Sequence, residues 1–135
     1  KEFSGLLKLR NVIWINYKEQ SELPSYLKKF DIGIIPFKIN NFTDGVFPNK
    51  FFEYMALEIP VVTTSLPDLE DYSDIIGYAQ NKSEFLEICR SIVTGNLKLN
   101  VNSYKEIAEA NSWAKRAEVI NNKILNFVSL QLYNN

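Results

Sequence analysis

Along this chain, short apolar runs alternate with segments whose apolar residues recur at helical spacing. Residues 12–16 (VIWIN) form one such run, ending at Tyr17, and 31–36 (DIGIIP), 59–63 (IPVVT) and 75–79 (IIGYA) repeat it. Residues 22–30 (ELPSYLKKF), 48–57 (PNKFFEYMAL), 83–93 and 103–127 read as helices, with Ser21 as the N-cap of the first. Strands that are continuously hydrophobic are buried on both faces, and their alternation with helices implies βαβ units. The pattern predicts an α/β fold, a Rossmann-like parallel sheet flanked by helices and joined by right-handed crossovers.

Residues 37–47 (FKINNFTDGVF) break the economy of this pattern. They join a strand to a helix, a connection that usually takes about two to six residues. Ligands of open parallel sheets bind beyond the carboxyl ends of the strands, so the segment is a candidate lid or binding loop. Its apolar and Asp-Gly content suggests an ordered loop, the alternative being a surface excursion without function.

The helix opening at Pro48 carries the most chemistry. Proline suits a first helical position, and Phe47 before it offers no side-chain oxygen as a cap. The N–H groups of Asn49, Lys50 and Phe51 then need another partner, and a phosphate is one candidate. Lys50 opposes the helix dipole there, which is a poor choice for stability alone. Phe51, Phe52, Met55 and Ala56 share the side expected to face the sheet, while Lys50, Glu53 and Leu57 fall on another. Spacing alone leaves two readings of Lys50 and Glu53 open. They are either a ligand-binding pair or an exposed ion pair worth about a few tenths of a kcal/mol.

Composition narrows the classes. The 135 residues suit one domain, and 46% hydrophobic content with nine Phe, seven Tyr and two Trp can close a core. Fifteen basic residues against sixteen acidic ones leave no basic stripe, so nucleic acid is not an expected partner. The absence of histidine removes Ser–His and Cys–His nucleophile systems and most zinc sites. Cys89, the one cysteine, sits among Phe85, Leu86 and Ile92 and reads as a small core residue in a reducing compartment. Asp68, Glu70, Asp71 and Asp74 lack the glycine turn of a calcium loop and read as a solvated helix start, so no metal is expected. No run approaches the roughly 20 apolar residues of a membrane span, and no signal peptide opens the chain. With Lys1 in place of methionine, the sequence reads as a piece of a longer protein.

The segment 47–64 (FPNKFFEYMALEIPVVTT) resembles the signature of GT-B glycosyltransferases, and more closely that of bacterial transferases building cell-surface polysaccharides. Their motif runs roughly N-P-x-K-x-x-E-Y-x-A-x-G-x-P-V-V, and Lys50, Glu53, Tyr54, Ala56, Pro60, Val61 and Val62 match it. Residues 11–37 resemble the preceding strand, helix and strand of that family. Residues 111–124 (NSWAKRAEVINNKI) resemble its last helix, in which a tryptophan follows a short polar break and which often packs against the other domain. The resemblance covers residues 11–125. Two positions depart from it: Gly45 stands where many relatives carry a second acidic residue, with Asp44 beside it, and Glu58 stands where they have glycine. The latter costs nothing if the helix ends without a left-handed residue.

The resemblance implies the donor-binding half of a sugar transferase that uses a UDP- or GDP-linked sugar as substrate, with no resident cofactor. Glu53 would bind the ribose hydroxyls, since a carboxylate can accept from two vicinal hydroxyls at once. Lys50 and Asn49 would meet the donor phosphates, and Tyr17 would touch the base unless it merely covers the sheet edge. Trp113 reads as a packing anchor. The resemblance further implies an amino-terminal acceptor domain and a first strand before Lys1, with residues 1–9 as the end of the helix after that strand. The lost strand is central in the 3-2-1-4-5-6 order, so the piece alone is expected to be weakly stable, to associate with further copies, and to be inactive. The whole protein is expected in the cytoplasm, or peripherally at the inner face of the membrane. The competing readings are a sugar-nucleotide epimerase of the same fold and a non-catalytic α/β interaction module. The tail IIPF offers no strand-end Asp for a receiver-type signalling domain.

Overall fold

The computed structural model describes residues 4–133. In chain order it holds helix α1 (Leu23–Leu27), strand β1 (Gly33–Ile35), helix α2 (Lys50–Met55), strand β2 (Val61–Thr64) and strand β3 (Gly77–Ala79). Helices α3 (Lys82–Val93), α4 (Tyr104–Ala110) and α5 (Trp113–Tyr133) follow. Short 3-10 turns lie at Leu6–Lys8, Thr43–Gly45 and Pro67–Tyr72. The strands make one parallel sheet in the order β1-β2-β3, flanked by helices, so the α/β, Rossmann-like architecture is as expected.

Alternation along the strands separates two cores. Ile35 and Val61 meet Phe51, Tyr54 and Met55 of α2, Leu66 and Leu69 beside the Pro67–Tyr72 turn, and Tyr104 and Ala108 of α4. Val62 and Ala79 turn the other way, onto Phe85 and the half-buried Ile88, Cys89 and Ile92 of α3. Val61, Val62 and Thr63 are all fully buried, as a central strand covered on both faces requires. The buried Thr63 hydroxyl donates to the Ile35 and Thr64 carbonyls. β1 is covered on one face only, and Ile34, paired in register with Val62, remains half exposed.

Two local devices seat α2 on this sheet. A Cβ at Gly33 would lie 2.5 Å from the Tyr54 ring, so the absent side chain is what lets the ring lie flat against β1. At its far end α2 closes with a Schellman pair. The Ile59 N–H donates to the Tyr54 carbonyl at 3.0 Å and the Glu58 N–H to the Met55 carbonyl at 2.9 Å, while Tyr54 and Ile59 share the core. That geometry puts Glu58 at φ 56, in the left-handed region, so the residue standing where relatives have glycine is strained after all.

Several expectations are corrected. Residues 12–16 are not a strand and adopt no regular structure, with Ile13 85% and Trp14 69% exposed. A run of that composition needs neighbouring strands to bond its backbone, and none among the described residues pairs with it. Of residues 1–9, the first three lie outside the described residues, and the others hold only the exposed Leu6–Lys8 turn. α1 is one short turn-and-a-half whose N-cap is Glu22 rather than Ser21, with the Glu22 carboxylate accepting from the Glu19 N–H. On α2 the residue buried beside Phe51 and Met55 is Tyr54, while Ala56 is exposed. The span 103–127 is two helices, parted at Asn111 and Ser112.

Tyr104 ties the second half of the chain to the sheet. Its ring is fully buried and its hydroxyl donates to the Ile75 carbonyl at 2.7 Å. Burial pushes its pKa from the ordinary 10.0 up to about 12. The folded state therefore keeps the proton more tightly than the unfolded chain. The resulting stabilisation is complete below pH 10 and is lost as pH rises from there toward 12. Tyr104→Phe is expected to remove that part of the alkaline loss and to cost about 1 kcal/mol at neutral pH, because the Ile75 carbonyl loses its donor. Denaturant titrations of both proteins from neutral to alkaline pH measure this. Glu58→Gly is expected to raise stability by roughly 1 kcal/mol by relieving the left-handed strain, and a lowered melting temperature would show the side chain to be worth more than its strain.

Candidate functional site

The long connection from β1 to α2 is ordered by its own polar groups. Asn40 Oδ1 accepts from the N–H groups of Phe42 and Thr43, and the buried Thr43 hydroxyl donates to the Lys38 and Asn40 carbonyls. The Thr64 hydroxyl reaches across from the end of β2 to the Phe37 carbonyl at 2.9 Å, pinning the start of the loop. Phe37 and Ile39 stay partly exposed and Phe42 stands 84% exposed at the tip. At the end of the loop Phe47 stacks on Phe52 at 4.9 Å and meets Phe51 edge-on at 5.7 Å, with Tyr72 closing the aromatic cluster. These rings, and not a side-chain oxygen, fix the entry into α2, which has no side-chain cap. The Phe51 N–H is already taken by the Pro48 carbonyl at 2.9 Å, so it is not one of the free donors that the sequence suggested.

With Phe51, Tyr54 and Met55 turned to the sheet, the outer side of α2 presents Asn49, Lys50, Glu53 and Ala56. A cavity of about 420 Å³ opens there. Asn49 and Glu53 form one wall, Gln20 stands at another side, and Ala56 and Ala108 leave the floor open. Opposite, the break between α4 and α5 supplies Asn111, Ser112, Trp113 and Arg116. The volume falls within the range of about 300–1,000 Å³ usual for small-molecule sites. The mixture of one carboxylate, one guanidinium, amides and aromatic faces suits a polar ligand with a flat apolar part.

The structure thus brings two of the four sequence-predicted site residues, Asn49 and Glu53, to one cavity. Lys50 is adjacent but outside its wall, with its ammonium 3.6 Å from the Glu53 carboxylate and both side chains about half exposed. An exposed i,i+3 pair of this kind contributes about 0.5 kcal/mol or less and yields readily to a ligand. Tyr17 is 83% exposed and is not part of the wall. Trp113, expected as a packing anchor, is 77% exposed, and its contact is with Arg116, whose guanidinium lies 5.6 Å from the indole and 5.5 Å from the Phe52 ring. Gln20, Asn111 and Arg116 were missed. The signal for the last was its i,i+3 spacing from Trp113 just after a polar break.

A second cleft, of about 450 Å³, lies beyond the carboxyl ends of all three strands, between residues 36–39, Thr64, Ser65, residues 80–82 and Phe85. It holds none of the predicted site residues. Asp68, Glu70 and Asp71 lie in the Pro67–Tyr72 turn, and among the described residues no three His, Cys, Asp or Glu side chains gather as a metal site. Cys89 is half buried, and burial pushes its thiol pKa up, away from the reactive thiolate.

Comparison with known proteins bears on the whole of this arrangement. No solved structure matches the chain significantly. A Bacillus subtilis (strain 168) protein, provisionally named teichuronic acid biosynthesis glycosyltransferase TuaH, is 34% identical over 119 residues, which cover 82% of this chain. The matched stretch spans 29% of that protein's length. The family profile described as glycosyl transferases group 1 matches residues 1–94, a span that includes the sheet edge β1, the ordered loop and α2 with Asn49, Lys50 and Glu53. On both grounds the chain belongs to the group 1 glycosyl transferases.

Proposed function

We propose that this chain forms the nucleotide-sugar-binding part of a glycosyltransferase that passes a sugar from a UDP- or GDP-linked donor to a cell-envelope acceptor. The observation that carries the reading is the position of Glu53, a carboxylate on the wall of a cavity of nucleotide size, in a segment matched by a transferase family. A carboxylate there accepts from both ribose hydroxyls, a pairing that a cation, which has no acceptor, cannot reproduce. Asn49 lies one turn earlier on the same wall and offers amide donors to the phosphates. Lys50 is close enough to leave Glu53 and neutralise the departing diphosphate. The name of the Bacillus relative supports an envelope polysaccharide as the acceptor's destination.

The same reading assigns the acceptor site and any catalytic base to further parts of the protein. α5 carries Ile120, Ile124 and Phe127 exposed at helical spacing, among the described residues no strand pairs with the outer edge of β1, and the apolar residues 13–15 lie uncovered. These are the surfaces that the rest of the same protein would cover. Among the described residues no helix is long and apolar enough to cross a membrane. An envelope acceptor would bring the whole protein to the inner face of the membrane as a peripheral partner.

Calorimetry of UDP and GDP binding to the protein at its full natural length tests the donor site. One of the two nucleotides is expected to bind. Glu53→Ala is expected to weaken that binding by about tenfold or more, the loss of roughly 1.5–3 kcal/mol from hydrogen bonds to a charged group. Lys50→Ala is expected to weaken it as well, and to do so less at high salt. Binding of neither nucleotide by the full-length protein would overturn the reading.

A further inference from the structure

The cavity contains a cation that the sequence did not suggest. Arg116 stands on its wall with Glu53, whereas Lys50 stands outside it. The two flanking rings, Phe52 at 5.5 Å and Trp113 at 5.6 Å, hold the guanidinium in place through cation–π contact. Among the described residues no carboxylate pairs with it, although its neighbour Lys115 pairs with Glu118 at 2.8 Å and Lys50 pairs with Glu53. Its position is costly for stability alone. Arg116 lies in the first turn of a 21-residue helix with no acidic residue in that turn, where a cation opposes the helix dipole. A guanidinium without a carboxylate partner, on the wall of the same cavity as a carboxylate, is arranged for a ligand that is anionic at one end and hydroxylated at the other.

We infer that Arg116, held between Phe52 and Trp113, is a further residue that binds the diphosphate of the ligand whose ribose Glu53 holds. The inference rests on the nucleotide reading of that cavity. The guanidinium is the suited group, since its planar fork matches two phosphate oxygens at once. Lys50, a flexible and solvated point charge already beside Glu53, is left with a secondary role. Trp113 acts on the ligand through Arg116 and by walling the cavity with its exposed indole.

The test compares a nucleoside with its diphosphate on the full-length protein, using uridine against UDP and guanosine against GDP. In Arg116→Ala the diphosphate is expected to bind at least tenfold more weakly while the nucleoside binds as before. Arg116→Lys, which keeps the charge and loses the fork, is expected to fall between the two. Equal weakening of nucleoside and diphosphate would overturn the inference by making Arg116 a wall residue only, and an unchanged diphosphate affinity would overturn it outright. Circular dichroism checks that the variants keep their fold, and the exposed position of Arg116 makes that the expected result. These failures differ from that of the underlying reading, in which the unaltered protein would bind no nucleotide at all.

Discussion

The ring of Tyr54 rests in the space that a side chain on Gly33 would fill, and the position of α2 follows from that contact. Any larger residue at Gly33 would lift α2 from β1. With the ring seated, Phe51 and Met55 are drawn into full burial against Ile35 and Val61. The helix can then end within hydrogen-bonding reach of its own last turn, through the Glu58 and Ile59 N–H groups, and deliver the chain straight into β2. Apolar burial supplies the driving force here, and the Tyr54–Gly33 fit decides its direction. One consequence is functional: three of the six residues of α2 are committed inward, so Glu53 has no choice but to face outward.

The outward side is shaped by small residues and by a break. Ala56 and Ala108 keep α2 and α4 from filling the space between them, and the interruption at Asn111 and Ser112 lets α5 leave in a new direction with Trp113 and Arg116 on the wall. Charged groups contribute little to stability in this region. The Lys50–Glu53 pair is exposed, and cations occupy the first turns of both α2 and α5, where the dipole disfavours them. Residues placed against local stability but around one cavity are what a binding site requires. Glu58 belongs to a different class, since it is not itself part of the cavity wall and its strain serves the chain reversal at the end of α2.

Ile34 on the α3 side of β1, Ile13 and Trp14, and several apolar residues of α5 are all exposed. The central strand β2 is buried on both faces, and β3 is covered by α3 on one side and packs Tyr78 into the other core, whereas β1 is covered on one face only. Among the described residues β1 and β3 each keep one edge without a strand partner, and such an edge is a template for further pairing.

How much of this was legible in the sequence varies with the reach of the interactions involved. The apolar runs at β1, β2 and β3, the helical spacing of α2 and α3, and the i,i+3 placement of Lys50 beside Glu53 are set by residues a few positions apart, so the sequence by itself determined them. The same is true of the family, because its signature lies within one segment from Phe47 to Thr64. Residues 12–16 failed as a strand because a strand exists only through its neighbours, and local pattern cannot say whether they are present. The left-handed Glu58 and the burial of Tyr54 over Ala56 depended on a ring meeting Gly33, twenty-one positions earlier in the chain. Arg116 and Trp113 joined the cavity of Glu53 only because α4 packs on α2 and then breaks, bringing together side chains about sixty positions apart. Tertiary structure alone decided the composition of that cavity, since the wall of a site is made of whatever packing brings into contact.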